Sequence, residues 1–359
     1  MLVLVVNAGS SSLKLRVVDD GDATVAAADL PAVEEVEPGD LAAALDGLGP
    51  ADAVGHRIVH GGREFRAPVV VDAAVRDRIA ALASLAPLHQ PRSLHALDAV
   101  SRAVPHLPAV ACFDTAFHAT LPPEAATYAV PAPWRDELGV RRYGFHGLSH
   151  AYAARRAVGM GAPPRRIVTC HLGAGASLAA VREGRSVDTT MGFTPLEGLV
   201  MATRAGSVDP GAVLWLVTGA GLAADRVADA LEHDSGLVAL AGTPDMHAVV
   251  ERAAAGDADA GLALGVVGHR LRAGIAAMAA ALGGLDALVF TGGVGENAPV
   301  VRAMAAGGLG FLGVAVDADA NATARPDADV TAPGSAVRVL VVAAREEVEI
   351  ARGVRRALT

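Results

Sequence analysis

An α/β architecture made of two copies of one domain is what this sequence leads us to expect. Three observations carry that expectation: apolar runs rich in β-branched residues, a strand–turn–strand plan that occurs twice, and helical stretches lying between strands. Residues 2–6 form a continuous apolar run, as a strand buried on both faces requires. The run breaks into Asn7-Ala8-Gly9-Ser10-Ser11-Ser12, resumes over 13–18 and turns at Asp20-Gly21. The plan returns roughly 160 residues later, a spacing too long for a repeat array. There 167–170 is apolar, His171-Leu172-Gly173-Ala174-Gly175-Ala176-Ser177 is the small-residue turn, 178–181 resumes, and Glu183-Gly184 turns.

Between the copies, 73–85 is Ala/Leu-rich and reads as helical, and the Pro-rich stretch 121–133 reads as a connection. Pro163-Pro164 closes a helix before the second copy. In the second half 210–224, 249–264 and 267–282 read as partly buried helices dominated by Ala and Gly. A strand over 287–290 feeds the Gly-rich loop Thr291-Gly292-Gly293-Val294-Gly295-Glu296-Asn297; 337–342 is a last strand and 346–358 a final helix.

Composition narrows the function classes. The chain has 359 residues, 52% of them hydrophobic, which excludes a disordered protein and suits two domains of roughly 150 residues. Its charge, 30 − 39 = −9, offers no basic field for nucleic acid or an anionic membrane. Two cysteines, Cys112 and Cys170, make no disulfide framework and fit a reducing compartment. The amino terminus lacks a signal-peptide pattern, and apolar stretches such as 212–224 and 273–285 fall short of the ~20 residues that span a bilayer. A soluble, cytoplasmic protein is expected. Only one of 30 basic residues is Lys, at position 14, and the only side-chain amides are Asn7, Asn297, Asn321 and Gln90. Codon bias explains the scarcity, so the survivors mark positions worth inspecting. Asn7 and Lys14 flank the first Gly/Ser turn, and Asn297 ends the Gly-rich loop. An ammonium is not interchangeable with a guanidinium at a phosphate.

A Gly/Ser turn between strands can aim backbone N–H groups and hydroxyls at one anion. Asn7, Ser10, Ser12 and Lys14 would supply amide, hydroxyl and ammonium groups around a nucleotide phosphate or its metal; an ordinary hairpin turn is the alternative. A P-loop is excluded, because no G-x-x-x-x-G-K frame precedes the single Lys. Gly293-Val294-Gly295-Glu296-Asn297-Ala298 fits a loose dinucleotide pattern, and close backbone approach to a nucleotide is the safer inference. Three polar clusters stand in apolar or Gly-rich surroundings: Gly55-His56-Arg57-Ile58-Val59-His60-Gly61-Gly62, Phe113-Asp114-Thr115-Ala116-Phe117-His118, and Arg141-Arg142-Tyr143-Gly144-Phe145-His146-Gly147-Leu148-Ser149-His150. Each could be structural. His146 and His150 have zinc-ligand spacing, but Gly144 and Gly147 oppose a regular helix there and no Glu follows His146. The stretch 188–211 lacks helical periodicity, and long irregular segments inside a compact domain are usually functional or disordered. Within it Arg204 is either an anion ligand or a solvated surface residue.

Taken in order, the segments 4–14, 55–62, 85–91, 113–122, 141–150, 171–175, 188–211, 290–297 and 345–347 resemble the acetate kinases, within the acetate and sugar kinase, heat-shock chaperone and actin superfamily. The resemblance covers most of the chain. It implies two duplicated ribonuclease-H-like domains with an interdomain cleft: 1–118, on which 348–359 packs back, and 119–347. It also implies a cytoplasmic homodimer that makes acetyl phosphate and ADP from acetate and ATP with Mg2+, for which Mn2+ can substitute, as a step in acetyl-CoA biosynthesis. Carried over by position, Arg57 holds the acetate carboxylate, Asp114 is the catalytic acid/base-type residue, and His146 and Arg204 stabilise the transferring phosphoryl group. Asn7 and Glu346 lie at the metal, with Lys14, Ser10 and Ser12 near the phosphates. His171, Leu172, Gly173, Ala174 and Gly175, then Asp245, Met246 and His247, then Gly293, Val294, Gly295, Glu296 and Asn297 contact the nucleotide. Val59, Leu88, Phe145 and Pro195 wall the methyl pocket.

Acetate is already a nucleophilic anion near neutral pH, so Asp114 makes more sense as an organiser of metal, water or Arg than as a proton acceptor. Two departures from the family pattern stand out: a shorter stretch between Lys14 and Arg57, and His247 where an Arg is typical beside the adenine. The competing readings are a propionate or butyrate kinase of the same family and a non-catalytic nucleotide-switch module.

Overall fold

Leu4 and Val6 of β1 (Val3–Ala8) pack against the helices Pro38–Leu48 and Gln90–Ala103, while Val3 and Val5 meet Ile350, Ala351 and Val354 of the helix Glu346–Leu358. A strand covered on both faces needs apolar residues at every position, which is why this one reads as an unbroken run. The structure, a computed structural model, describes residues 1–9, 12–87 and 89–359. The chain divides into two compact units: Met1–Ala119, Phe145–Tyr152 and Arg345–Thr359 form the first, Thr120–Gly144 and Ala153–Ala344 the second.

The first unit carries β1 with β2 (Leu13–Val18), β3 (Thr24–Leu30), β4 (Ala53–Ile58), β5 (Val69–Val70) and β6 (Ala109–Phe113), in the order β3-β2-β1-β4-β6-β5. The second carries β7 (Arg166–Leu172), β8 (Ala176–Arg182), β9 (Arg185–Thr189), β10 (Ala287–Thr291), β11 (Ala328–Asp329) and β12 (Arg338–Val341), in the order β9-β8-β7-β10-β12-β11. Numbered from its own first strand, each sheet reads 3-2-1-4-6-5, and each neighbouring pair has the same sense in both. The duplication expected from the paired strand–turn–strand plan is therefore present in topology. In each sheet three adjacent strands are parallel (β1, β4, β6 and β7, β10, β12), so their carboxyl ends lie side by side. That is where open α/β sheets bind ligands.

Several expectations need correction. The helix read over 249–264 is two pieces: Met246–Ala254 ends before Gly256, and Asp257 caps the helix Ala258–Leu282 by accepting from the amides of Asp259 and Ala260. The helix read over 210–224 stops at Thr218, ahead of Gly219-Ala220-Gly221. The Gly-rich loop after β10 is a short helix, Gly292–Asn297, followed at once by Pro299–Ala306. Gly144 and Gly147 were expected to oppose a helix, yet Gly147–Val158 is one; His146 precedes it and His150 lies within it. Ala258–Leu282 is long and apolar enough, by length and composition, to cross a membrane, although no single uncharged run reached that length. It carries Arg270 and Arg272 and buries Leu271, Ile275 and Met278.

Candidate active site

The ends of β1, β4 and β6 bring three polar side chains of the first unit together. Asn7 lies on β1, Arg57 on β4 one residue beyond the last β1–β4 pair, and Asp114 immediately after β6, where its N–H donates to the carbonyl of Ile58. Glu346, first residue of the closing helix, joins them. The Arg57 guanidinium donates to Asp114 from Nε (3.1 Å to Oδ2) and from Nη2 (2.5 Å to Oδ2), and from Nη1 to the Asn7 Oδ1 at 3.2 Å. The Asn7 Nδ2 donates to the Glu346 Oε2 at 3.1 Å, and that oxygen lies 3.7 Å from the Arg57 Nε. A guanidinium has five N–H groups. These bonds engage three of them, leaving one N–H on each terminal nitrogen. Arg57 is thus locked in orientation with donors to spare.

Asp114 is 1% exposed. Burial, with Glu346 adding to it and Arg57 opposing it, pushes its pKa up to about 6. Asp114 and Glu346 together hold the Arg57 pKa above its ordinary value against the effect of burial. Gly147 N–H donates to the Asp114 carbonyl at 2.9 Å, and a Cβ at Gly147 would lie 2.1 Å from that oxygen, so only glycine fits. His146, just before it, is a non-glycine residue with φ of 56°, a left-handed conformation held in place at the start of a helix. Phe145 is buried, its ring edge-on to His60 at 5.5 Å between centroids, and its carbonyl lies 3.0 Å from the His118 Nε2. Val59 is buried beside them in sequence, and Gln90 accepts from the His60 N–H and donates to the His60 carbonyl, extending the ladder where β4 has ended. Motif reading gave Gln90 and His118 no role, although the scarcity of side-chain amides had marked Gln90. Lys14 is exposed on β2 directly opposite Asn7, so the two side chains share a face of the sheet. Ser12 accepts the N–H of Gly9 at its carbonyl, which closes the turn. Ser10 and Leu88 lie outside the described residues.

In the second unit the same strand ends open onto a pocket of about 490 Å³. That volume is in the range of small-molecule sites. Leu172, Gly173 and Ala174 line it after β7, Gly293, Val294 and Asn297 after β10, and Asp245, Met246 and His247 from a third side. His171, Gly175, Gly295 and Glu296 are not among the lining residues. The Glu296 carboxylate instead accepts the backbone N–H groups of Gly292 and Ala344, so its work is to hold the segment in shape. Asp245 likewise caps the helix Met246–Ala254, accepting from the His247 N–H, while the His247 side chain is 77% exposed and lies 3.6 Å from Glu251.

Arg204 and Pro195 occupy the irregular stretch after β9. Arg204 Nη1 donates to the Pro195 carbonyl at 3.1 Å, and burial lowers its pKa. Among the described residues no carboxylate pairs with it. Glu232 opposes that lowering from beyond ion-pair distance, and a half-buried guanidinium with no carboxylate in direct contact is suited to take an anion. Gly236, at φ 65°, lets a helix start 2.2 Å (for a hypothetical Cβ) from the Met201 carbonyl and against the Arg204 backbone, fixing where Arg204 begins.

The sequence profile of the Acetokinase family matches residues 39–352. The acetate kinase of Leifsonia xyli subsp. xyli is 47% identical over 98% of this chain and 97% of its own. Among solved structures, the acetate kinase of Porphyromonas gingivalis superposes with a TM-score of 0.91 at 34% identity over 100% of both chains. A propionate kinase from Francisella tularensis gives 0.91 at 33% identity over 98% of each.

Proposed function

The chain belongs to the acetokinase family, and from that membership we propose that it transfers the γ-phosphoryl group of ATP reversibly to acetate, giving acetyl phosphate and ADP by direct in-line displacement. The observation that carries this reading is the locked guanidinium of Arg57 at the carboxyl ends of β1, β4 and β6. Its two remaining N–H groups suit a carboxylate, and the Asp114 fork keeps them from rotating away. Asp114 thereby acts as the organiser of Arg57. Val59 and Phe145 would border the methyl group. The Arg204 guanidinium, lacking a carboxylate partner, suits the charge spread over the equatorial oxygens of a transferring phosphoryl group, and His146 would share that task.

Glu346, Asp114 and the Asn7 Oδ1, which keeps a second lone pair, are the hard oxygen donors that Mg2+ takes when phosphate oxygens and water complete its shell. Glu346 and Asn7 would hold Mg2+, or Mn2+ in its place. The ion would supply positive charge to offset that of the phosphates. Lys14, on the face of Asn7, would reach the phosphates along with Ser10 and Ser12. The pocket walled by 172–174, 245–247, Gly293, Val294 and Asn297 would take the nucleoside, with His171, Gly175, Gly295 and Glu296 next to these residues in sequence. The domain reading that goes with this function takes 1–118 with 348–359 as one ribonuclease-H-like domain and 119–347 as the other.

A cytoplasmic homodimer belongs to the same reading. The helix Pro210–Thr218 supports the homodimer: none of its residues is buried, and Leu214 and Trp215 are 64% and 62% exposed, an apolar face suited to a second copy.

The propionate kinase among the structural relatives makes propionate the reading to test against. One methylene is worth only ~1–3 kcal/mol in an apolar pocket, so both acids should react. Trapping the acyl phosphate with hydroxylamine, across a panel of short carboxylates with ATP and Mg2+, should give the highest kcat/KM for acetate. A higher value for propionate would reassign the substrate, and no hydroxamate with any acid would reject the function.

A further inference from the structure

The largest fully buried side chain is Arg302, 1% exposed in the helix Pro299–Ala306. Its guanidinium has no carboxylate partner among the described residues. It donates from Nη1 to the carbonyls of Gly295 (2.9 Å) and Glu296 (2.7 Å), from Nε to the Asn321 Oδ1 (2.7 Å) and from Nη2 to the Asn321 carbonyl (2.7 Å). Asn321, 4% exposed in the helix Ala318–Thr323, donates its Nδ2 to the Pro299 carbonyl at 2.9 Å. Two short helices and the turn between them are thus tied to a third helix through one cation and one amide.

Burying a cation without a counter-charge opposes folding, and an apolar side chain would fill the space more cheaply. The arrangement therefore calls for a geometric explanation. The carbonyls that Arg302 holds close the Gly292–Asn297 helix, and Gly293, Val294 and Asn297 of that helix wall the 490 Å³ pocket. A cation also suits the carbonyl end of a helix. Asn321 cannot be replaced by the carboxylate that would pair better with Arg302, because a carboxylate has no N–H for Pro299 and would set an oxygen against that carbonyl. The chain has only three Asn, and this one has no role in the motifs assigned to the reaction.

We propose that Arg302 and Asn321 are positioning residues for the nucleotide: a buried clamp that sets Gly293, Val294 and Asn297 of the pocket wall from behind, without touching the ligand. The proposal rests on placing the nucleoside in that pocket. Its test is binding of the fluorescent analogue mant-ADP, with steady-state kinetics and thermal unfolding, on full-length variants. Asn321→Ala should weaken mant-ADP and raise the ATP KM by about tenfold, with the acetate KM held within about twofold. Arg302→Met should do more; if it does not fold, Asn321→Ala carries the test. In the double variant Arg302→Met/Asn321→Leu no cation or side-chain amide is left buried without its partner, so thermal stability should recover in part while nucleotide affinity stays low, the carbonyls of Gly295, Glu296 and Pro299 having lost their donors. Recovery of affinity together with stability would make the clamp merely structural and overturn the proposal. So would an equal rise in both KM values for Asn321→Ala, or an ATP KM that does not move. Val294→Trp fills the pocket and should abolish mant-ADP binding. If it does not, the nucleoside lies elsewhere, and the placement fails before the clamp is in question.

Discussion

Arg57 is held by Asp114 and Asn7 at once, and this sets what its removal should do. A carboxylate gripped by a charged donor gains roughly 1.5–3 kcal/mol, so Arg57→Ala should raise the acetate KM about 10- to 100-fold with a smaller change in kcat. Arg204 should behave in the opposite sense. If it meets charge that develops only during transfer, Arg204→Ala lowers kcat by about 100-fold or more and leaves the acetate KM nearly unchanged. Initial-rate kinetics on both variants check this, and matching small effects would contradict both roles. Asp114 adds a pH dependence. Its pKa is raised to about 6, so as pH falls through that value a proton replaces the charge-assisted fork and frees the guanidinium. The acetate KM should be flat above that pH and climb below it. Asp114→Asn should show a raised KM without the climb. These partners are 57 residues apart in sequence, and no spacing rule joins them. The family resemblance named both, but only the parallel register of β4 and β6 explains why they meet.

Strands were legible in the sequence for a physical reason. β1 is a nearly unbroken apolar run and β2 alternates apolar and charged residues from Leu13 to Val17, and each is followed in sequence by turn-forming residues. The helices between Pro210 and Leu282 were legible in part but not in their bounds, because in Pro210–Thr218 and Ala258–Leu282 the apolar residues, Ala and Gly give a helix face and its back nearly the same polarity. The one sharp signal there, Gly256-Asp257, is a stop followed by a cap, and it was passed over in favour of the apolar content around it. The Gly292–Asn297 segment looked like a loop because of its glycines. It is helical because its carbonyls are met by Arg302, a partner the local sequence cannot show. The start of the Gly147–Val158 helix makes a prediction of its own. A methyl at Gly147 would press on the Asp114 carbonyl, so Gly147→Ala should cost about 1–3 kcal/mol in stability and lower kcat by displacing Asp114 and His146. Denaturant unfolding and initial rates measure both. An unaffected enzyme would mean that the contact is not needed.

The protein as a whole should be acid-sensitive through His56. Neither ring nitrogen has a hydrogen-bond partner among the described residues, and burial lowers the pKa from 6.5 to about 4, with Asp98 opposing it. Between those values the unfolded chain takes up a proton that the folded chain refuses. The contribution of His56 to stability is therefore full above pH 6.5 and falls as pH drops toward 4, by about 3 kcal/mol at 1.36 kcal/mol per unit, and His60 and His118, which burial also lowers to about 4, add losses over the same range. His56→Leu should remove its own share of that loss and leave the part due to His60 and His118, as read from urea midpoints at several pH values. The duplicated strand–turn–strand plan, the irregular segment with Arg204 and the rare amides were all visible in the chain before its fold was known. The identity of each sheet's order, and the use of one sheet for a guanidinium cluster and the other for a pocket, were not. Single-turnover reaction with γ-32P-ATP, excess acetate and Mg2+ asks the most of this reading. The label should pass directly into acetyl phosphate, at a rate that rises with acetate, while none is found on the protein. Label that goes to water whatever the acetate concentration, or that first appears on a side chain, would contradict direct transfer between the two substrates.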